Sequence, residues 1–225
     1  MTAPESTPAP QQPEQSAAQT GIMSNTVTLY VDPACPFAWM TSRWLLHAQQ
    51  VRDVQVRFAP MSLAVLNEGR DLDPDYMELL QKAWGPARVA VRIMNDHGQD
   101  AFSAWYTAWG EAFHVGDDKD GPTVAARALE AAGLPAALME TYEKADDQTD
   151  AELREAHEKA ISLVGQDVGT PVISFGEGTA YFGPVVTPAP RGEAAGRLLD
   201  GLRLMASVDG FYELKRTRPD QIDLS

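Results

Sequence analysis

Val27-Thr-Leu-Tyr-Val31-Asp32-Pro33-Ala34-Cys35-Pro36-Phe37-Ala38-Trp39 is the stretch that decides the fold. Its first five residues are β-branched or aromatic with alternating faces, the composition of a central strand, and Asp32-Pro33 ends the run. From Pro36 to Gln50 there is no glycine, and Phe37, Met40, Trp44 and Leu45 recur at helical spacing. The chain therefore turns directly into a helix, with Pro36 in the first turn, where a missing N–H has no consequence. Val54-Gln-Val-Arg-Phe58 then alternates apolar and polar residues before Pro60, which predicts a second strand. Strand, helix and strand make a right-handed βαβ unit over Val27 to Phe58.

Beyond that unit, residues 67–165 carry Ala-rich helical patterns around Tyr76 to Trp84, Ala87 to Asp96, Val124 to Ala132 and Ala151 to Val164. Gly85-Pro86 and Gly121-Pro122 mark expected helix starts, and Gly98, Gly133 and Gly165 expected stops. Strands return with Thr170 to Phe175, a turn at Gly176-Glu-Gly178, and Thr179 to Phe182, followed by a last helix from Gly192 to Ala206. Strands on either side of the helical block must share one sheet to bury their faces, so the pattern predicts an α/β domain (24–66 and 166–210) split by a helical insertion (67–165). A tail of 1–23, rich in Pro, Gln, Ala, Ser and Thr, reads as a disordered extension, and 211–225 as a C-terminal tail.

Composition excludes several functions. A formal charge of −14 repels phosphate backbones and anionic lipid, which argues against a nucleic-acid or membrane-surface partner. Lys215, Arg216 and Arg218 form the clearest basic cluster and read as decoration of a solvated tail. No stretch approaches the roughly 20 apolar residues of a membrane span. A single cysteine allows no intrachain disulfide, and a reducing, cytoplasmic setting is the simplest. His47, His97, His114 and His157 are too scattered for a metal site; no P-loop, Gly-X-Gly-X-X-Gly or Gly-X-Ser-X-Gly elbow is present, so neither metal nor nucleotide is expected. Trp84, Trp105, Tyr106 and Trp109 gather in the helical block, where packing is the expected role and a pocket wall the alternative.

The chemistry centres on Cys35. A lone cysteine is ordinarily a buried, inert small hydrophobe. Placed between a strand end and a Pro-started helix, however, Cys35 meets unpaired backbone N–H groups and the positive end of a helix dipole, which predicts a lowered pKa and a nucleophilic thiolate. Ala38 stands where a Cys-Pro-X-Cys motif has its second sulfur, so any mixed disulfide on Cys35 must be released by an outside thiol. Thr170-Pro171 opens a strand-like run with a proline, which calls for an edge position or a special bond such as a cis peptide.

These residues, with Met61-Ser-Leu63, Leu66-Asn67, Ala83-Trp84-Gly85-Pro86, Phe182-Gly183-Pro184, Pro190-Arg191-Gly192 and Phe211 to Arg218, resemble the DsbA-like mycothiol-dependent nitroreductase family over Val27 to Arg218. The resemblance implies a DsbA-like thioredoxin fold with an inserted all-helical domain, cytosolic residence, mycothiol as the thiol cofactor, and reduction of disulfides or small electrophiles such as nitro compounds. It further implies that Cys35 is the attacking cysteine within the motif Cys35-Pro36-Phe37-Ala38, that Trp39 follows that motif, and that Thr170-Pro171 is a cis-proline dipeptide facing the cysteine and binding thiol or substrate. Family members carry Cys-Pro-Trp-Cys, so here a nucleophile is retained and the resolving sulfur is absent. The leading expectation is a monothiol oxidoreductase or thiol transferase, monomeric or homodimeric. Its rivals are an isomerase like the kappa-class glutathione transferases and a redox-inactive thioredoxin-fold binding protein.

Overall fold

The computed structural model describes residues 25–176, 178–219 and 221–224; the 1–23 extension lies outside them. Alternation in β1 (Thr26–Val31) buries Val27, Leu29 and Val31 in the main core. Tyr30 instead packs with Met61, Ala160, Ile161 and Val172 in a second cluster. Helix α1 (Pro36–Gln49) follows, then β2 (Gln55–Pro60), whose register runs parallel to β1 from Thr26 opposite Gln55 to Val31 opposite Pro60. The strand thus continues past Phe58, its expected end. It is an edge strand, and there proline's missing N–H breaks no ladder.

Between β2 and the next strand the chain is helical: α2 (Leu63–Leu66), α3 (Pro74–Gly110), a π turn (Glu111–Val115), α4 (Gly121–Ala131), a 3-10 turn (Ala136–Leu138), α5 (Met139–Glu143) and α6 (Asp147–Val164). Asp73, Asp120 and Asp146 cap α3, α4 and α6 by accepting from the first free N–H groups. α3 breaks at Gly98, whose φ of 82° favours glycine. It does not break at Gly85-Pro86 as the sequence predicts. Both residues are buried, and a Cβ at 85 would run into the ring of Tyr142 on α5, so tertiary packing holds the helix through its proline.

β3 (Val172–Gly176) returns antiparallel to β1, and β4 (Thr179–Phe182) antiparallel to β3, giving the order β2-β1-β3-β4. Helix α7 (Gly192–Ala206) closes against α1, where the Trp44 indole donates to the Ala195 carbonyl at 3.0 Å. A four-stranded sheet with one parallel and two antiparallel pairings, carrying α1 and α7, is the α/β thioredoxin arrangement. Phe102, Trp105, Tyr106 and Trp109 are wholly buried, so they are core rather than the wall of an open pocket. Among the described residues no helix is long and apolar enough to cross a membrane, and no group of three His, Cys, Asp or Glu side chains is gathered for a metal.

Candidate active site

β1 delivers the chain to a turn in which nearly every polar group is engaged. Asp32 is fully buried; its Oδ1 accepts from the Ala34 N–H at 2.8 Å and its Oδ2 from the Leu63 N–H at 2.6 Å, while its carbonyl accepts from Cys35 N–H at 3.0 Å. The carboxylate thereby ties the loop before Cys35 to the start of α2. On the other side the Pro33 carbonyl accepts from the Trp109 indole at 2.8 Å and from His114 Nε2 at 2.9 Å. His114 is buried, stacked on Trp39 with ring centroids 6.0 Å apart. Burial lowers its pKa to about 4, so the neutral ring donates from Nε2.

Cys35 occupies the N-cap of α1 in extended conformation, and Pro36 opens the first turn. Its Sγ donates to the Thr170 carbonyl at 3.6 Å, and the Thr170-Pro171 peptide bond is cis. The Thr170 hydroxyl is buried and has no hydrogen-bond partner. Cys35, Thr170 and Pro171 therefore meet. Ala38, where a second sulfur would sit, is wholly buried, and Phe37 is half-buried. Trp39 lies behind the motif rather than at its mouth: 2% exposed, it packs against Gly110, Tyr106 and His114, with the Arg43 guanidinium 4.0 Å over its ring.

The expected low thiol pKa is not what this environment produces. Cys35 is only 6% exposed, and burial pushes the thiol above its ordinary value. The Thr170 side chain and the Phe37 and Ala38 amides favour the thiolate; the buried Asp32 charge disfavours it. Desolvation outweighs the helix terminus, so Cys35 rests as a protonated thiol. Asp32 is itself raised to about 6 by burial, against its two amide bonds, and is charged at neutral pH. Alkylation of Cys35 by iodoacetamide, followed by intact mass, is accordingly expected to rise with pH to a midpoint above the free-cysteine value of about 8.5. Asp32→Asn should move that midpoint down. A wild-type midpoint below 8.5 would contradict the assignment.

Sequence reasoning treated Asp32 only as a strand stop. One signal was present: it is the only acidic residue between Glu14 and Asp53, set in an apolar run beside the only cysteine. No local pattern announced the contacts of Trp109 and His114, which reach Pro33 from 76 and 81 residues away.

Comparison with known proteins now adds the lineage. The Rv2466c-like family model, described as mycothiol-dependent nitroreductase Rv2466c, matches residues 34–216, from the turn before Cys35 to beyond α7. The chain belongs to this family. Among curated proteins, the uncharacterized protein Rv2286c of Mycobacterium tuberculosis is 28% identical over 201 residues, 88% of this chain and 85% of that one. A candidate protein-disulfide isomerase from Pseudomonas syringae superposes with a TM-score of 0.50 at 14% identity, over 79% of this chain and 92% of that one. The oxidoreductase DsbA of Xylella fastidiosa has a TM-score of 0.48 at 18% identity, over 79% and 83%. At such identities structural likeness speaks to the fold alone, which is the DsbA-like thioredoxin fold. Family and fold together are those of thiol-dependent oxidoreductases.

Proposed function

We propose that this protein is a monothiol oxidoreductase in which Cys35 attacks disulfides or small electrophiles, such as nitro compounds, in the cytoplasm. The observation that carries the reading is the meeting of the chain's one thiol with Thr170: Sγ lies 3.6 Å from the Thr170 carbonyl, and the Thr170 hydroxyl is buried without a hydrogen-bond partner. That pairing suits a sulfur-bearing ligand. The carbonyl takes the S–H of the resting thiol, and the hydroxyl and the Phe37 and Ala38 amides stabilise negative charge as the proton leaves. A small thiol, mycothiol in this family, would supply the second sulfur and the electrons that the chain lacks. Cys35 supplies the nucleophile, Thr170-Pro171 orients the incoming sulfur through main-chain contacts, and buried Ala38 leaves the attacked group with no internal route of release. Because only the thiolate attacks, the rate increases with pH toward the raised thiol pKa.

The buried, protonated state of Cys35 favours a second reading, a redox-inactive thioredoxin-fold binding protein. One experiment separates them. Incubation of the native protein with oxidised mycothiol, followed by intact-mass measurement, is expected to show a single adduct that maps to Cys35, is absent from Cys35→Ser and is reversed by reduced mycothiol. A native protein that stays unmodified while its unfolded form reacts would leave the binding protein as the reading.

A further inference from the structure

We propose that the segment following α7 forms one side of the entrance to the Cys35 site and selects carboxylate-bearing reagents through Arg218, assisted by Lys215 and Arg216. The inference rests on Cys35 being the reactive group and adds a substrate class to that reading.

Residues 211–219 form neither helix nor strand, yet the chain on both sides is anchored. The Tyr181 hydroxyl donates to the Phe211 carbonyl at 3.1 Å, and the two rings sit 5.6 Å apart. Further on, the Asp223 N–H donates to the Thr187 hydroxyl at 2.7 Å, that hydroxyl donates to the Asp223 carbonyl at 2.9 Å, and Ile222 and Leu224 pack against the core. Between these anchors the Arg218 guanidinium lies 5.0 Å over the ring of Phe37. Phe37 is two residues past Cys35, so this cation stands at the edge of the active-site motif rather than on a free tail.

What distinguishes Arg218 is an exposed guanidinium with no ion pair among the described residues. Three other cations over aromatic rings already have an anion: Arg88 and Arg154 over Trp84 pair with Asp150 and Glu68, and Lys119 over Phe113 pairs with Asp117. Arg43 over Trp39 also has no ion pair among the described residues, but it is part-buried and its N–H groups are bonded to Ser42 and Thr107. Arg218, Lys215 and Arg216 are exposed and form no ion pair among the described residues, in a chain with 32 acidic side chains against 18 Lys and Arg. Glu213 is the one acid between Phe211 and Pro219. A guanidinium lying on a ring keeps its N–H fork free for a carboxylate, and an aromatic beside it accepts the apolar body of the same molecule. Asp32, the acid beside the motif, is buried and satisfied by two amides, so it does not take up the Arg218 charge.

The test uses two disulfide probes on the full chain: dianionic 5,5′-dithiobis(2-nitrobenzoate) and neutral 4,4′-dithiodipyridine. In each reaction the Cys35 proton passes to solvent, its thiolate bonds to one probe sulfur, the probe S–S bond breaks and one aryl thiolate leaves. In wild type the anionic-to-neutral rate ratio should decline as salt is raised, since exposed charges are screened within about 10 Å at 0.1 M. Replacing Lys215, Arg216 and Arg218 by Gln should lower that ratio about tenfold at low salt. Arg218→Lys, which keeps the charge, should retain most of the ratio, and Glu213→Gln should raise it. A ratio indifferent to salt and to the triple replacement overturns the selectivity while leaving Cys35 reactive. Failure of both probes to label native Cys35 would remove the reactive-cysteine reading, and this inference with it.

Discussion

Ala38→Cys is expected to give a protein that releases a captured disulfide partner without any outside thiol. Residues three apart in a helical turn face one another with Cβ atoms roughly 5–6 Å apart, within a small adjustment of the separation of about 3.5–4.5 Å a disulfide requires. Position 38 lies in the first turn of α1 behind Cys35 and is wholly buried, so a second sulfur there has no competing solvent contact. An intramolecular thiol acts at an effective concentration far above millimolar, and release should accelerate on the order of 100-fold or more relative to wild type in 1 mM external thiol. Stopped-flow measurement of the second leaving group from a chromogenic disulfide checks this, with mass spectrometry to confirm that both thiols of the variant are consumed. Wild type should hold its adduct until thiol is added. A variant that retains the adduct as long as wild type would mean that positions 35 and 38 do not present sulfurs to each other.

Gly110→Ala is expected to be strongly destabilising and to disturb Cys35 from the far side of the core. A Cβ at 110 would land on the Trp39 ring. That ring is 2% exposed and boxed in by Tyr106, His114 and Arg43, so it has nowhere to go. Overpacking of this kind costs about 3 kcal/mol, a fall in Tm of roughly 6–12 °C for a chain of this size. Trp39 is in the first turn of α1, so a shift of its backbone moves the Cys35 N-cap as well, and alkylation kinetics should change along with Tm. Gly201→Ala is the control with the opposite sign. A Cβ there meets nothing within 4 Å, in the interior of α7, and a gain of about 0.5–1 kcal/mol is expected from helix propensity. Thermal melts of the two variants side by side decide the matter, and equal Tm values would contradict the packing described for Trp39.

The parts of this structure legible in the sequence are those set by local chemistry. Asp-Pro after a β-branched run, and proline at a helix start, located the end of β1 and the start of α1; glycine stops gave Gly98 and Gly165; the turn at Gly176-Glu-Gly178 gave β4 at its observed bounds. What escaped was decided by distant contacts. Pro86 reads as a breaker until Tyr142 is packed on Gly85. The role of Asp32 depends on an amide at Leu63. The protonation of Cys35 illustrates the limit best: the sequence exposes the helix terminus that lowers a thiol pKa, but not the burial that raises it further. Likewise the cluster at Lys215 to Arg218 looks like tail decoration until the chain is seen to cross Phe37.

The anchoring of the turn before Cys35 has one more consequence. With the Asp32 carboxylate bonded to two amides, the Pro33 carbonyl bonded to two rings and the sulfur backed by Thr170, the nucleophile is anchored from several sides. Exchange at a disulfide needs the attacking, central and departing sulfurs nearly in one line, and here the incoming molecule alone must swing into that alignment. Supple, slender reagents should therefore react faster than stiff or branched ones, a discrimination by angle of approach that registers in turnover rather than in affinity.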